Sequence, residues 1–492
     1  MADSPAIVTR PAAIAARLDA LPATRSIWQL VVLLSIGGAF EFYDLILTGY
    51  ATPGLIRSGI FHTGARGLFG MTDQAAFASA TFLGLFFGTL LLGFAADRFG
   101  RRSIFTFSLL WYALATSIMA AQQSALGVDL WRFIAGVGIG VELVTIDSYI
   151  SELVPKAVRG KAFAVNQATQ FCAVPIVAFL AWKLIPRDPM GFAGWRWLVL
   201  IPAIGALVVW WIRLRVPESP RWLVEHDRIK QAERVIAHLE AAVAEDLARG
   251  QANSKVKSQN SKFATIPQFR TSALPQFLGG STTEDRRLTA DKRLRAIFHS
   301  PYRSRTIMLI VLNFFQSIGY YGFNNWVPTL IASRGISLVH SLQYSFIIAI
   351  AFPISPLLFL FFSDRIERKW QIVIAAVGTA AIGLGFAQQL RAALLITFGL
   401  LLTLSNNLLS YSYHTYQAEL FPTRLRARAV GVVYSFSRIS TVFSSFAIGF
   451  LLERFGSAAV FAFIAGAMGI VVLAVAPFGP RTSKLALEEI SH

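Results

Sequence analysis

Twelve apolar runs order this chain, at 27–54, 74–96, 103–124, 127–153, 162–185, 194–214, 304–331, 340–363, 369–389, 391–419, 427–452 and 457–478. A helix rises about 1.5 Å per residue, so about 20 apolar residues cross a bilayer, and each run is predicted to be one membrane span. We number them spans 1 to 12. The polar breaks are short except at 215–303, whose first part, "HDRIKQAERVIAHLEAAVAEDLA", has apolar residues at helical spacing and predicts a surface helix. The rest of that break is rich in Ser, Gln, Gly and Lys and predicts a flexible linker. The expected organisation is a tail (1–26), a six-helix bundle (27–214), a central loop (215–303), a second six-helix bundle (304–478) and a tail (479–492).

Twelve is even, so both termini are expected on one side. Basic residues assign that side to the cytoplasm: Arg98, Arg101 and Arg102 after span 2, Lys156, Arg159 and Lys161 after span 4, Arg365, Arg368 and Lys369 after span 8, Arg424, Arg426 and Arg428 after span 10. The two halves repeat. "SELVPKAVRGKA" ends span 4 and "AELFPTRLRARA" ends span 10, while Asp97-Arg98 follows span 2 and Asp364-Arg365 follows span 8; the offset is the same, 419 − 152 = 364 − 97 = 267. Duplicated halves around a midplane site are a transporter architecture.

Composition agrees with a bilayer solvent, at 55% hydrophobic, 15% charged and 40 Phe. The net charge of +18 sits in short loops between spans, which excludes nucleic acid as the expected partner; the bilayer and a small-molecule substrate are expected instead, with a monomeric protein. The first 25 residues lack an uninterrupted apolar run, so no signal peptide is expected. Cys172, the single cysteine, is expected to be a small buried hydrophobe. No metal-ligand cluster or nucleophilic triad stands out, so neither an enzyme nor a cofactor is expected, and a proton gradient is left as the energy source.

"GFAADRFGRRS" (93–103), "SELVPKAVRGK", "VPESPRWL" (216–223), "AELFPTRLRAR" and "GPRTSKLALEEI" resemble signatures of the major facilitator superfamily, mostly in their sugar-porter form. The resemblance implies an all-α fold of two pseudo-symmetric six-helix bundles in a multi-pass plasma-membrane protein, a bacterial inner-membrane one by expectation. It also implies a gating network around Asp97, Arg98, Arg101, Arg102, Glu152 and Arg159, with Asp364, Arg365, Glu419 and Arg424 in the second half. Acids at these loops do nothing for topology, which favours gating over simple anchoring. "FFSDRIERK" departs from the pattern by lacking the glycines.

Ionisable residues inside spans are costly and are functional candidates. Glu41 and Asp44 lie three apart on one face of span 1, and span 4 carries Arg132, Glu142 and Asp147. If span 1 runs outward and span 4 inward, Asp44 is about 25 Å from the inner end and Arg132 about 7 Å from the outer end, at similar depth. The pair either couples protonation to movement or only locks two helices. Proton-driven sugar porters carry an acid and an arginine at these positions, so the resemblance implies coupling. "FEFYD" also resembles span 1 of metabolite:H⁺ symporters, and Glu142 resembles the acid that follows the span 4 glycines in those proteins and in niacin-type transporters. Gly136, Gly138 and Gly140 read as close helix packing rather than a phosphate loop.

Polar stripes run along span 7 (Asn313, Gln316, Tyr320, Asn324), span 10 (Asn407, Ser410, Tyr413, His414, Gln417) and span 5 (Asn166, Gln167, Gln170), and together they predict a central pocket. Gln167 and Gln316 fall where sugar porters hold substrate hydroxyls. His414 reads more readily as a satisfied core residue than as a titrating one. Arg438 lies about ten residues into span 11, too deep to snorkel easily. "SFSRIS" resembles the span 11 arginine region of aromatic acid:H⁺ symporters and niacin-type transporters, which implies that Arg438 holds a substrate carboxylate. Its alternative is a partnership with Glu142. With Tyr320, Tyr411 and Tyr413 at hand, the expected activity is proton-coupled uptake of a small monocarboxylate, aromatic by preference. A sugar or polyol porter and a non-transporting receptor are the alternatives.

Overall fold

The computed structural model describes residues 10–62, 64, 71–92, 98–155, 158–214, 216–259, 297–360, 366–421 and 423–482. Its described elements are helical: Arg10–Asp19 precedes span 1 (Arg25–Arg57), span 2 (Asp73–Leu92), span 3 (Arg101–Ala120) and span 4 (Ala125–Leu153). Span 5 is broken at Cys172 into Arg159–Phe171 and Ala173–Leu184, and span 6 is Gly194–Arg213. Pro220–Glu225 and Ile229–Gln259 follow span 6 and pack on Arg10–Asp19, span 1 and span 4 of the first half. Span 7 runs Arg303–Asn324 and resumes as Val327–Ala332; span 8 is Leu338–Ala349 with Ala351–Leu360; spans 9 and 10 are Arg368–Gln388 and Ala392–Glu419. Spans 11 and 12 lie within one helical stretch, Thr423–Phe478, divided by Gly456 at φ 75°. Only glycine adopts that backbone cheaply, so the turn between the two spans is placed there.

Local signals start several helices. Ser124 caps span 4 by accepting from the Gly127 N–H at 3.2 Å, and Ser219 caps the short helix Pro220–Glu225 through the Trp222 N–H at 3.2 Å. Spans 2 and 4 approach closely through glycine. A β-carbon on Gly84 or Gly88 would sit 2.3 or 2.1 Å from the Phe133 or Val137 carbonyl, and one on Gly140 would meet the Leu85 carbonyl at 2.3 Å. Small residues are what allow such approach between membrane helices.

Two expectations need correction, for the linker and for Cys172, and the tail gains an element. The segment 249–259, assigned to the linker, continues the surface helix to Gln259, because its Ala, Gln, Lys and Arg residues are good helix formers. The tail 1–26 contains a helix, Arg10–Asp19, whose Ile14 and Leu18 are buried against Ile236 and Leu239 of the long polar helix. Cys172 is exposed, not buried: it lies on a face of span 5 that the bundle leaves open.

The halves meet along spans 5 and 8, where Phe171 lies 5.5 Å from Phe352 and Trp182 stacks on Phe346 at 5.8 Å, and along spans 2 and 11, where Ser79 donates to the Val442 carbonyl at 3.4 Å. Away from the basic loops, spans 1 and 7 close tightly: a β-carbon on Gly49 would lie 2.3 Å from the Asn325 carbonyl oxygen. At the basic-loop end no extended packing joins spans 4 and 10 among the described residues, and His414, in the last third of span 10, is exposed. Among the described residues the molecule is therefore closed at one end and open at the end that carries the basic loops.

Candidate functional site

Arg132 is fully buried, and a desolvated guanidinium needs a partner for each of its nitrogens. Its Nη1 donates to Asp44 Oδ2 at 2.9 Å, its Nη2 to the Asp44 carbonyl, and its Nε to Thr81 at 3.0 Å and Thr48 at 3.2 Å. Spans 1, 2 and 4 thus converge on one cation, with the Phe77 ring 5.8 Å from it. Asp44 and Arg132, at similar depth by residue count, are in direct contact. Glu41, one turn before Asp44, is 1% exposed; Glu142 is fully buried and accepts from the Ser108 hydroxyl at 3.1 Å.

Arg438, 4% exposed, lies in the other half. Nη1 donates to the Tyr321 hydroxyl and Nη2 to the Tyr434 hydroxyl, both at 2.9 Å, and the guanidinium carbon stands 4.9 Å from the Tyr434 ring centre. Among the described residues no carboxylate comes within 4 Å of it, Glu142 included. Around this cation gather Tyr320, packed edge-on to Tyr321 at 5.1 Å, Phe82 of span 2 at 4.7 Å from Tyr321, and His414 at 5.4 Å from Tyr434. His414 Nδ1 lies 2.7 Å from the Ser410 carbonyl and so carries a proton there, and Nε2 lies 3.2 Å from the Tyr413 hydroxyl. The ring is exposed, so it faces the open cleft.

Arg438, Tyr320, Tyr413 and His414 are therefore brought together. Gln167, half-buried in span 5, and Gln316 and Asn324, buried in span 7, make no hydrogen bond to that group among the described residues. Two members of the cluster, Tyr321 and Tyr434, were absent from the candidates. Tyr434 stands four residues before Arg438, the spacing that puts two side chains on one helix face, and that signal was available. Tyr321 is adjacent to Tyr320, and only the bundle's geometry selects which of the two hydroxyls reaches Arg438.

At the basic-loop end, Arg101 pairs with Glu152 at 3.1 Å and Arg368 with Glu419 at 3.5 Å. Arg102 is held through its backbone N–H by Glu218 at 3.2 Å and through its side chain by the Leu214 carbonyl at 2.5 Å. Arg159 bonds Asp19 at 3.4 Å, and Arg221 meets the same carboxylate at 2.8 Å. None of these contacts joins the first six-helix bundle to the second. Arg98 is exposed and stands 5.5 Å from the Phe99 ring centre, with no carboxylate within 4 Å among the described residues. Asp97, Asp364 and Arg365, and the side chains of Arg424 and Asp147, lie outside the described residues.

The pattern of the sugar (and other) transporter family matches residues 30–492. The chain belongs to that family. It is 26% identical to an inner membrane metabolite transport protein of Escherichia coli (strain K12), over 97% of this chain and 98% of the relative. It is 24% identical to the niacin transporter of Acinetobacter baylyi (strain ATCC 33305 / BD413 / ADP1), over 87% of each. Among solved structures, the E. coli xylose transporter in a partially occluded inward open conformation superposes with a TM-score of 0.69 at 18% identity, covering 94% of this chain and 99% of that one. The protein is thus a multi-pass membrane transporter of the major facilitator superfamily and not an enzyme.

Proposed function

We propose that this transporter takes up a small organic monocarboxylate together with protons by alternating access, with Arg438 receiving the carboxylate. The observation that carries this is a fully desolvated guanidinium bonded only to two phenolic hydroxyls, with no carboxylate partner among the described residues. A charged pair in a dry site is a strong, directional bond, and hydroxyls alone leave that capacity unused. Tyr320, Tyr321, Tyr413, Tyr434 and Phe82 supply flat apolar faces beside it, which suit a planar ring. Niacin, named for one relative, is a ring carboxylate of this kind. Asp44, bonded to Arg132, is the proton-carrying group in this reading, with Glu41 and Glu142 as further buried acids, and the proton gradient is the energy source. In this reading both termini lie in the cytoplasm, as the basic loops favour, and the protein works as a monomer in a bacterial inner membrane.

A sugar or polyol porter is the competing reading, favoured by the buried Gln316 and by the likeness to a xylose transporter fold. Thermal-shift measurements on the purified protein separate the two. Nicotinate and benzoate stabilise it by mass action while xylose does not, and Arg438→Gln abolishes that stabilisation without unfolding the protein. Stabilisation by xylose that persists in Arg438→Gln would replace the carboxylate reading with the sugar one.

A further inference from the structure

Beside Asp44, spans 1, 3 and 6 line a small void bounded by Phe40, Asp44, Tyr112, Thr116, Val199 and Pro202. About 10 Å³ of it is open to the centre of a water molecule, close to the volume that one bound water occupies. Thr116 is 2% exposed, and its hydroxyl has no hydrogen-bond partner among the described residues. This is unusual within the bundle: Thr52, Thr81 and Ser117 each return their hydroxyl to the carbonyl four residues earlier, at 2.8, 3.0 and 2.7 Å. Pro202 adds a second local gap, because it has no N–H for the Leu198 carbonyl; the Tyr43 hydroxyl fills that place at 2.9 Å.

We propose that this void holds one ordered water, bound between the Thr116 hydroxyl and the Asp44 carboxylate, and that Thr116 thereby sets the proton affinity of Asp44 as a positioning residue. The proposal rests on reading Asp44 as the proton-carrying group. Arg132 occupies Asp44 Oδ2 from span 4, so the void offers the carboxylate a partner from its other side. Around Asp44, span 3 presents Tyr112 and Thr116, span 6 presents apolar Val199, Pro202 and Ala203, and span 1 itself carries Glu41 and Tyr43; Thr81 of span 2 bonds Arg132, which is the charged group in contact with Asp44. A water donating to a carboxylate favours the charged form more than the neutral one, since charge-assisted hydrogen bonds are the stronger kind. Loss of the water raises the proton affinity.

The test needs no substrate. Infrared difference spectra of the full-length protein in nanodiscs are recorded across pH, and Asp44→Asn assigns the carboxyl band. Thr116→Val keeps the shape and removes the hydroxyl, Ala203→Val fills the void from span 6, and Thr116→Ser restores a hydroxyl. The expected result is that both valine variants move the Asp44 midpoint up by about one pH unit, roughly tenfold in proton affinity, with a changed band frequency, while Thr116→Ser matches the parent. An unchanged midpoint and band in both valine variants overturn the bound water and leave the role of Asp44 standing. If no titrating band disappears in Asp44→Asn, the reading of Asp44 itself fails, and the water proposal with it.

Discussion

Arg101 and Glu152 form an ion pair at 3.1 Å, and Arg368 and Glu419, each 267 positions later (368 − 101 = 419 − 152 = 267), repeat it at 3.5 Å. The duplicated halves thus share a specific bond as well as a sequence pattern. Both pairs join the start of one span to the end of the next within the same half, so each stiffens its own bundle in the state that is open at the basic-loop end. Glu152→Gln and Glu419→Gln are expected each to cost up to about 1 kcal/mol, since the pairs are only partly buried, and to add in the double variant because they are far apart. Thermal unfolding in detergent measures this. A double variant that loses much more than the two singles would show the pairs to be coupled across the halves.

How much of this was legible beforehand depends on the kind of signal. The twelve spans follow from apolar length alone, and the contact between Asp44 and Arg132 followed from counting residues to equal depth in antiparallel helices. Loop partners could not be found this way. Asp19 reaches Arg159 and Arg221, and Glu218 reaches the Arg102 backbone, across separations of 116 to 202 residues with no periodicity to guide the eye. The tyrosine pair around Arg438 was half legible: helical spacing marks Tyr434, whereas Tyr321 comes from another span. The exposure of Cys172 was not legible, because an apolar run does not show which of its faces the bundle leaves open.

Arg438 should be sensitive to geometry as well as to charge. Arg438→Lys keeps the cation and loses the planar fork that bonds two groups at once, so stabilisation by nicotinate is expected to weaken at least about tenfold in apparent affinity. Tyr321→Phe and Tyr434→Phe each remove one neutral acceptor, worth about 0.5 to 1.5 kcal/mol, and predict a few-fold loss. Isothermal titration with nicotinate orders the series. Equal affinity for lysine and arginine forms would mean that the guanidinium does not face the ligand.

For Asp44, the expected phenotype is a separation of two activities. Asp44→Asn retains a hydrogen-bonding side chain opposite Arg132 but cannot lose a proton. Proteoliposomes carrying it should exchange labelled nicotinate across the membrane yet fail to accumulate it under an imposed pH gradient. Arg132→Met leaves a buried carboxylate without its cation, a loss on the order of 3–5 kcal/mol, and is expected to compromise folding instead. Normal gradient-driven accumulation by Asp44→Asn would assign the proton to Glu41 or Glu142.

Gly49 controls which end of the molecule is closed. Its missing β-carbon lets span 1 lie against the Asn325 backbone, where a side chain would meet the carbonyl oxygen at 2.3 Å. Gly49→Val therefore penalises closure at this end and should move the population toward the state that is open there, by the difference in free energy between the two states. Spin labels at the ends of spans 1 and 7 away from the basic loops should report a longer distance in the variant than in the parent. An unchanged distance distribution would show that the two spans can slide past one another without opening.

The N-terminal helix supplies the last prediction, one of pH. Arg17 holds Glu240 through hydrogen bonds at 2.8 and 2.5 Å, and the Ser26 N–H donates to Asp246 at 2.6 Å, which together dock residues 10–26 on the long polar helix. The Arg17 hydrogen bond holds the Glu240 carboxyl below its ordinary value, with burial opposing it weakly, and hydrogen bonding from Ser26 does the same for Asp246. Both are acids whose folded value is depressed. Their contribution to docking is therefore fully present above the ordinary carboxylate range and is lost as pH falls through the depressed values. Both sites are partly solvent-exposed, so salt should weaken them in the same direction. Hydrogen–deuterium exchange of residues 10–19, corrected for its intrinsic pH dependence, should show constant protection from about pH 8 to about pH 6 and falling protection below about pH 4. Glu240→Gln should lower the protection at neutral pH and flatten its acid loss. Protection that persists through the acid range would show that Ile14 and Leu18 hold the helix by apolar contact alone.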